Sequence, residues 1–434
     1  MKLYSTKHQV SKVNLEEAVF KGLPADNGLF MPTEIPQLSR EFIDNIEKYD
    51  FQTIAFEITR TLLQGSIPDR DIKDIIVDAV NFDAPLVKVT EGNYCLELFH
   101  GPSLAFKDFG ARFMSRLMSY YLQKEKKEIN ILVATSGDTG SAVAQGFLGA
   151  PGIKVTILYP SGKVSVNQEK QLTTLGENIT ALEIDGVFDD CQRLVKTAFL
   201  DEELSSQISL SSANSINIAR LIPQSFYYAY AYAQLKTLGK PVVFSVPSGN
   251  FGNLCGGMIV RNMGLPIHHF IASTNANDVV PNYIDTGVFE PRQSIATVSN
   301  AMDVGNPSNF PRVLALHDNE YEKVKAGITG KRYNDEVTLY TIKRTFEETG
   351  YVMCPHTSVA FMGLVDYKKE TGFDGNGVFL STADPSKFAD IVEETIGQEV
   401  KMPDRLKSII NKEKQSIKLS KDFVDFKKWL LENI

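Results

Sequence analysis

Two rhythms of apolar and polar positions alternate along the chain. Near the start, Val13 to Val19 has the spacing and the Asn14 start signal of a capped helix, the cluster Gly22 to Gly28 breaks it, and Phe42 to Leu63 is again helically spaced. Further on, short apolar runs rich in β-branched residues recur at Ile129 to Thr135, Ile153 to Tyr159, Ile179 to Ile184, Val242 to Val246, His269 to Ser273 and Val378 to Leu380, with helix-compatible stretches between the first pairs. Runs apolar at nearly every position suit strands covered on both faces, so the pattern predicts an α/β protein with mostly parallel sheets flanked by helices. The expected organisation is an amino-terminal segment at 1–90, a small inserted lobe at 110–210, and a large lobe built from 91–109 and 211–434. The lysine-rich tail after Met402 ends in Phe426 to Leu431, which reads as a packed terminal helix with a solvated charged face. No internal repeat or low-complexity tract interrupts this plan.

Composition narrows the functional classes. The length of 434 residues allows two large domains or three ordinary ones, and 43% hydrophobic residues supply a normal core. The formal net charge of −8, with no long run of one sign, argues against a nucleic-acid or anionic-membrane surface as the main business. Cys95, Cys191, Cys255 and Cys354 form no CxxC and no zinc or disulfide spacing, and the histidines have no spacing with acids that a metal would need. The first residues lack an apolar leader or an arginine-rich transit pattern, so the expectation is a cytoplasmic protein. One stretch, Pro241 to Val260, carries no charge, but its Pro247, Gly249, Gly252, Gly256 and Gly257 fit a strand, a turn and a helix start better than a membrane span.

Candidate chemistry gathers in three segments. Ile131 to Ser141 and Val243 to Asn253 each run from a buried strand through a small polar turn, Ser136-Gly137-Asp138-Thr139-Gly140 and Ser248-Gly249-Asn250-Phe251-Gly252, into a helix. Backbone N–H groups at such a turn, with the positive end of the helix dipole, favour an oxyanion or phosphate. Taken singly, either turn is more often a tight strand-to-helix connection than a ligand cradle, and neither is a Walker motif or GxGxxG. The third segment sets Lys107 between Ala105, Phe106 and Phe109, surroundings that would desolvate its amine and favour the neutral, nucleophilic form; the plainer alternative is a surface lysine paired with Asp108. A Schiff-base lysine together with a phosphate cup is what pyridoxal 5'-phosphate requires.

With these residues in view the chain resembles the pyridoxal-phosphate enzymes of the tryptophan-synthase-β fold type (fold type II), and within them the longer form of the threonine synthase family. The resemblance rests on Tyr4-Ser5-Thr6, Gly22 to Pro32, His100 to Asp108, Ser136 to Thr139, Ser161 to Ser165, Asn214 to Arg220, Ser248 to Asn253 and Leu380 to Pro385, in family order. The long amino-terminal region is part of what separates this form from dehydratases and cysteine synthases. The resemblance implies that Lys107 carries the cofactor as a Schiff base and moves protons on the substrate. It further implies that Gly249, Asn250, Phe251, Gly252 and Asn253 hold the cofactor phosphate and that Thr382 hydrogen-bonds the pyridine nitrogen. Thr382 would otherwise be a cap of the Ser381 to Pro385 turn.

On the substrate side, Ser136, Asp138 and Thr139 would lie where relatives bind the carboxylate, with Asp138 near the cofactor's ring oxygen, where an aspartate risks like-charge repulsion unless well hydrogen-bonded. Asn214, Ser215, Arg220 and Lys163 would grip a substrate phosphate; by its position alone, Arg220 could equally be a surface ion pair. The implied reaction converts O-phosphohomoserine and water to threonine and phosphate. A dehydratase or a sulfhydrylase would share Lys107 and the glycine turn but has no phosphorylated substrate for Asn214, Ser215 and Arg220, and a non-catalytic sensor of the same fold would hold no covalent cofactor. No metal is expected, and a monomer and a small homo-oligomer are equally compatible with the sequence.

Overall fold

A computed structural model describes residues 1–434 except Lys126, Lys127 and Ser136. In chain order the strands are β1 (Lys2–Ser5), β2 (Val13–Asn14), β3 (Phe30–Pro32), β4 (Leu86–Thr90), β5 (Asn93–Glu97), β6 (Ile129–Ala134), β7 (Ile153–Pro160), β8 (Ile179–Asp185), β9 (Leu210–Ser211), β10 (Val242–Pro247), β11 (Ile267–Thr274), β12 (Ile328–Arg332), β13 (Asn376–Ser381) and β14 (Ile417–Ser420). They form a small antiparallel sheet, β2-β1-β3, and two larger ones. The six-stranded sheet has the order β12-β11-β10-β13-β5-β4 and is parallel except for β4; the five-stranded sheet, β14-β8-β7-β6-β9, is parallel throughout.

The unbroken apolar runs have a direct cause: both large sheets are covered on both faces. Along β10, Val242, Phe244 and Val246 enter the main core, whereas Val243 on the opposite face packs with Ile271, Phe379, Ala360 and Leu364 beneath the helix Pro355–Thr371. Along β6, Ile131 and Val133 enter the main core and Leu132 enters a second cluster with Leu158, Leu182, Leu194 and Phe426. Alternation survives, but both sides of it are apolar. The helices Phe51–Leu63 and Lys107–Glu125 supply much of the central packing, with Phe51, Phe82, Phe109, Tyr227 and Tyr230 forming a contiguous aromatic cluster.

Local signals set most element ends. Asn14 accepts from the Glu17 N–H at 2.8 Å and starts the helix Leu15–Lys21, which Gly22 ends at φ 66°. The stretch expected as one helix from Phe42 to Leu63 is instead Arg40–Asp44, a 3₁₀ turn at Ile46–Lys48, and Phe51–Leu63, because Asp50 caps a fresh start by accepting from the Thr53 N–H at 2.8 Å. The uncharged Pro241 to Val260 stretch folds as β10, a turn and the start of the helix Gly252–Asn262. Among the described residues no helix is long and apolar enough to cross a membrane.

The tail differs from its expected place with the large lobe. Strand β14 pairs with β8, and the terminal helix Phe423–Asn433 buries Phe426 and Leu430 against the smaller lobe's outer cluster. Its lysines are engaged as well: Lys414 reaches Glu169 at 2.6 Å and Glu183 at 2.8 Å, and Lys427 reaches Asp201 and Glu203, each at 2.8 Å.

Arg312 joins the amino-terminal sheet to the rest. Fully buried, it donates through Nη2 to the carbonyls of Phe30 (2.9 Å) and Ile216 (2.7 Å) and through Nη1 to Asn309 Oδ1 (2.7 Å). Carbonyl and amide dipoles replace a counter-ion here, and burial brings its pKa down to about 10. Arg312→Met keeps most of the volume but orphans the Phe30 and Ile216 carbonyls. It is expected to lower stability by about 2–4 kcal/mol, read as a shift of the urea unfolding midpoint.

Candidate active site

Parallel strands bring the motif residues to one edge. The carboxyl ends of β5, β13 and β10, neighbours in the six-stranded sheet, lead respectively to the segment ahead of Lys107, to Thr382 and to the Gly249 turn. In the five-stranded sheet the carboxyl ends of β6, β7 and β9 lead to Asp138, Lys163 and the Asn214–Arg220 stretch. Parallel α/β sheets hold ligands at these ends.

Lys107 begins the helix Lys107–Glu125, and the segment before it is stitched to the end of β13. The Leu98 N–H donates to the Ser381 carbonyl (2.9 Å), Phe106 N–H to Thr382 O (2.9 Å) and Asp384 N–H to Leu104 O (3.1 Å), around an antiparallel bridge between Ala105 and Ala383. Leu104 takes φ 60°, a conformation that a leucine holds only where its surroundings enforce it. The Thr382 hydroxyl has no protein partner among the described residues; the turn it sits on is capped instead by Asp384, which accepts from the Ser386 N–H at 2.8 Å. The capping alternative for Thr382 therefore falls away.

The amine at Lys107 is set among charges. Its side chain keeps part of its surface open, yet desolvation pushes its pKa below the usual lysine value; the Asp138 carboxylate opposes that shift, and Lys387 and Arg220 reinforce it. Asp108 is no ion-pair partner for it. Its carboxylate is buried, accepts from the Ser103 N–H at 2.8 Å, and is raised by desolvation to about 6. Asp138, at the start of the helix Asp138–Phe147, is also buried, but there the desolvation penalty is overcome by Lys387, Lys107 and a hydrogen bond from Gln168, so it stays ionised well below the ordinary carboxylate range. Lys387 Nζ lies 2.7 Å from Asp138 Oδ1, with the two side chains 1% and 8% exposed, and also donates to the Ser103 carbonyl at 2.9 Å. Gln168 Nε2 donates to the same Asp138 oxygen at 3.2 Å. An anionic side chain held this way has nothing to donate to a substrate carboxylate, so the part expected of Asp138 there is limited to its backbone N–H.

The turn after β10 is shaped as a cup. Gly249 packs so that an added Cβ would meet the Met302 Cα at 2.9 Å, and Phe251 takes φ 63° to start the helix Gly252–Asn262. Asn250 Oδ1 accepts from the Ser308 N–H (3.2 Å), its carbonyl accepts from the Asn309 N–H (3.1 Å), and Asn253 Nδ2 donates to the Pro247 carbonyl (2.8 Å). These side chains thus hold the turn in shape. Among the described residues no acceptor takes the backbone N–H groups of Gly249 to Asn253. Beside them the buried Asn309 Nδ2 has no partner and lies 3.4 Å from where a Gly252 Cβ would be. Five open amides at a helix N-terminus with an unclaimed donor alongside fit a phosphate.

The remaining expected residues divide into two groups. Asn214, Ser215 and Thr139 are half-buried near the strand ends, and their side chains have no protein partners among the described residues; Lys163 is exposed. Ser136 lies outside the described residues. Arg220 is buried, not a surface ion pair: Nη1 donates to the Ala213 carbonyl at 2.6 Å, Nε has no partner, and desolvation brings its pKa to about 10. Sequence reasoning missed Lys387, Gln168 and His356. His356 is buried, accepts through Nε2 from the Ala301 N–H at 3.1 Å, and is pushed down to about 4 by burial, so it is neutral. Lys387 had one available signal, a lysine five residues past Thr382 in a short turn whose other members are small or apolar.

Residues 82–383 match the family described as pyridoxal-phosphate dependent enzyme, which gives the class, and pyridoxal 5'-phosphate as its cofactor. Residues 2–80 match the threonine synthase N terminus and residues 357–429 the threonine synthase C-terminal family. The chain is 43% identical to threonine synthase of Escherichia coli (strain K12) over 434 residues, covering 100% of both. It is similar to the crystal structure of the Escherichia coli threonine synthase, with a TM-score of 0.91 at 42% identity and complete coverage of both chains. It is likewise similar to a PLP-bound threonine synthase from Brucella melitensis, with a TM-score of 0.93 at 32% identity covering 100% and 99% of the two chains. The chain belongs to the threonine synthase family of pyridoxal-phosphate enzymes, with the fold expected from its sequence.

Asp108 gives the site a pH signature. A carboxyl raised to about 6 when folded, against about 4 unfolded, binds more protons in the native state, so its contribution to stability is present below about pH 4 and is lost as pH rises through 6. The stability difference between wild type and Asp108→Asn, measured by denaturant unfolding from pH 4 to 7.5, is expected to swing by roughly 3 kcal/mol in favour of the variant at the upper end.

Proposed function

We propose that the protein converts O-phosphohomoserine and water to threonine and inorganic phosphate. The observation that supports this reading is that two separate sets of unclaimed donors stand past strand ends of the two parallel sheets, one of them including an arginine whose charge acts on the Lys107 amine. The open amides of Gly249 to Asn253 lie at the end of β10, and the buried Arg220, whose Nε has no partner, lies with Asn214 and Ser215 past the end of β9. One phosphate belongs to the cofactor; the second set calls for a phosphorylated substrate. The threonine synthase name of the full-length relatives supports the same substrate.

When bound, pyridoxal phosphate supplies an electron sink for negative charge that develops at the carbon bearing the substrate's amine. Gly249, Asn250, Phe251, Gly252 and Asn253 hold its phosphate through their N–H groups. Thr382 offers its hydroxyl to the ring nitrogen, a neutral partner that leaves that nitrogen less protonated than a carboxylate would. Lys107 would hold the cofactor at rest; with the substrate bound, its neutral amine would take the Cα proton, pass that proton on, and so be free to take a Cβ proton. Arg220, Asn214 and Ser215, with Lys163 at the open edge, hold the phosphate that leaves Cγ. Thr139, Ser136 and the start of the helix Asp138–Phe147 orient the substrate carboxylate. The protons then balance: of the three released, from Cα, from Cβ and from the water whose hydroxyl adds at Cβ, one goes to Cγ, one returns to Cα and one leaves on the phosphate, so Lys107 ends with the charge it began with. A lysine whose pKa is lowered from its ordinary value is more readily available as the neutral amine that takes and returns protons.

Three measurements test the reading. Purified protein given O-phosphohomoserine is expected to release threonine and phosphate in equal amounts; a keto acid or ammonia as main product points to a dehydratase instead. Borohydride reduction followed by peptide mass spectrometry is expected to find the pyridoxyl group on Lys107, with none in Lys107→Ala; a protein that never carries it is a sensor. Arg220→Ala is expected to raise KM for O-phosphohomoserine by about 10–100-fold, the loss of one or two charge-assisted hydrogen bonds, while the cofactor stays bound. An unchanged KM would remove Arg220 from the substrate site.

A further inference from the structure

The Asp138 carboxylate faces two lysines, Lys387 at 2.7 Å and Lys107 close enough to pull on its ionisation, and both the carboxylate and Lys387 are almost wholly enclosed. A buried carboxylate that stays ionised needs a counter-ion. Lys387 is fixed in that role by the Ser103 carbonyl, which accepts from Lys387 Nζ at 2.9 Å and from Gln171 Nε2 at 3.1 Å. The pair also joins separate parts of the fold: Asp138 starts a helix after β6 in the five-stranded sheet, and Lys387 sits in the turn Pro385–Phe388 after β13 in the six-stranded one.

We propose that Lys387 is a positioning residue for Lys107: by occupying Asp138 as its permanent counter-ion it keeps that carboxylate from pairing with the Lys107 ammonium, and so leaves the Lys107 amine free to react. Without it, the enclosed carboxylate would recruit the other lysine in reach, fixing Lys107 as an ammonium. The remaining groups around Lys107 cannot take over. Arg220, on the segment Ile218–Leu221, spends Nη1 on the Ala213 carbonyl, and the carboxylate its charge acts on is Asp108, not Asp138. His356, from the helix Pro355–Thr371, is neutral and accepts from Ala301. Asp108, the next residue along the helix, is turned to the Ser103 N–H. Opposing effects of Asp138 and Lys387 on the Lys107 pKa accord with this division.

The inference rests on Lys107 as the reactive lysine, but its test is independent of substrate and of turnover. Full-length protein freed of cofactor is acylated with trace acetic anhydride across pH 6 to 11, and the modification of the Lys107 peptide is followed by mass spectrometry. The expected result is a midpoint below that of surface lysines in the wild type, and a rise of one unit or more in Lys387→Met, seen as at least a tenfold loss of Lys107 reactivity at pH 7.5. The double variant Asp138→Asn with Lys387→Met is expected to bring the midpoint back, and Lys387→Arg, which keeps the charge, to leave it in place. A folded Lys387→Met protein with the wild-type midpoint overturns the proposal, as does a double variant that fails to restore it. If Lys387→Met does not fold by circular dichroism, Lys387→Gln, which can still donate to the Ser103 carbonyl, is read by the same criteria. A wrong substrate in the preceding reading would leave these midpoints untouched, and a wrong cofactor lysine would appear separately as a misplaced borohydride adduct.

Discussion

The site depends on a short stretch of main-chain pairing that belongs to no sheet. Lys107 is carried in by residues 98–106, and those residues are held by the end of β13 through three backbone hydrogen bonds and the Ala105–Ala383 bridge. The same stitching places the Thr382 carbonyl against Phe106 and leaves the Thr382 hydroxyl unclaimed. Lys107 and Thr382 are therefore fixed to each other at the level of the backbone. Side-chain packing around them then sets the charge state.

Three buried cations meet that environment in different ways. Lys387 is neutralised by a carboxylate at 2.7 Å, Arg312 by carbonyl and amide oxygens, and Arg220 only by the Ala213 carbonyl and the distant influence of Asp108. Desolvation of an ion costs several kcal/mol unless partners make it up. Arg312 is fully partnered and is structural. Arg220 keeps an unpaired Nε in a dry place, an unfavourable arrangement that makes sense where an anion completes it.

The sequence made the strands legible because two-sided burial leaves long apolar runs, and it made the turns legible because Gly137, Gly249 and Phe251 stand at positions where tight packing or positive φ follows. Pattern alone could not reveal that Phe42 to Leu63 is interrupted, since Asp50 lies among residues that would also suit a continuous helix. Short edge strands such as β9 and β14, of two and four residues, carry too little periodicity to be read. The Lys387–Asp138 pair was invisible for a different reason: the partners lie 249 positions apart by number (387 − 138) and meet only after both sheets are built. A carboxylate that stays ionised in so enclosed a place needs a cation beside it, and Lys387 supplies one from a remote turn.

Strand β14 completes one edge of the five-stranded sheet although it is separated from its neighbour β8 by β9 and by strands β10 to β13 of the six-stranded sheet. During synthesis, β8 must therefore wait with one row of its amides and carbonyls unsatisfied until some 230 further residues have left the ribosome (417 − 185 = 232). The nascent chain carries its own aggregation hazard for that interval, and a late-arriving strap of tail, clamped by Lys414 and Lys427, ends it.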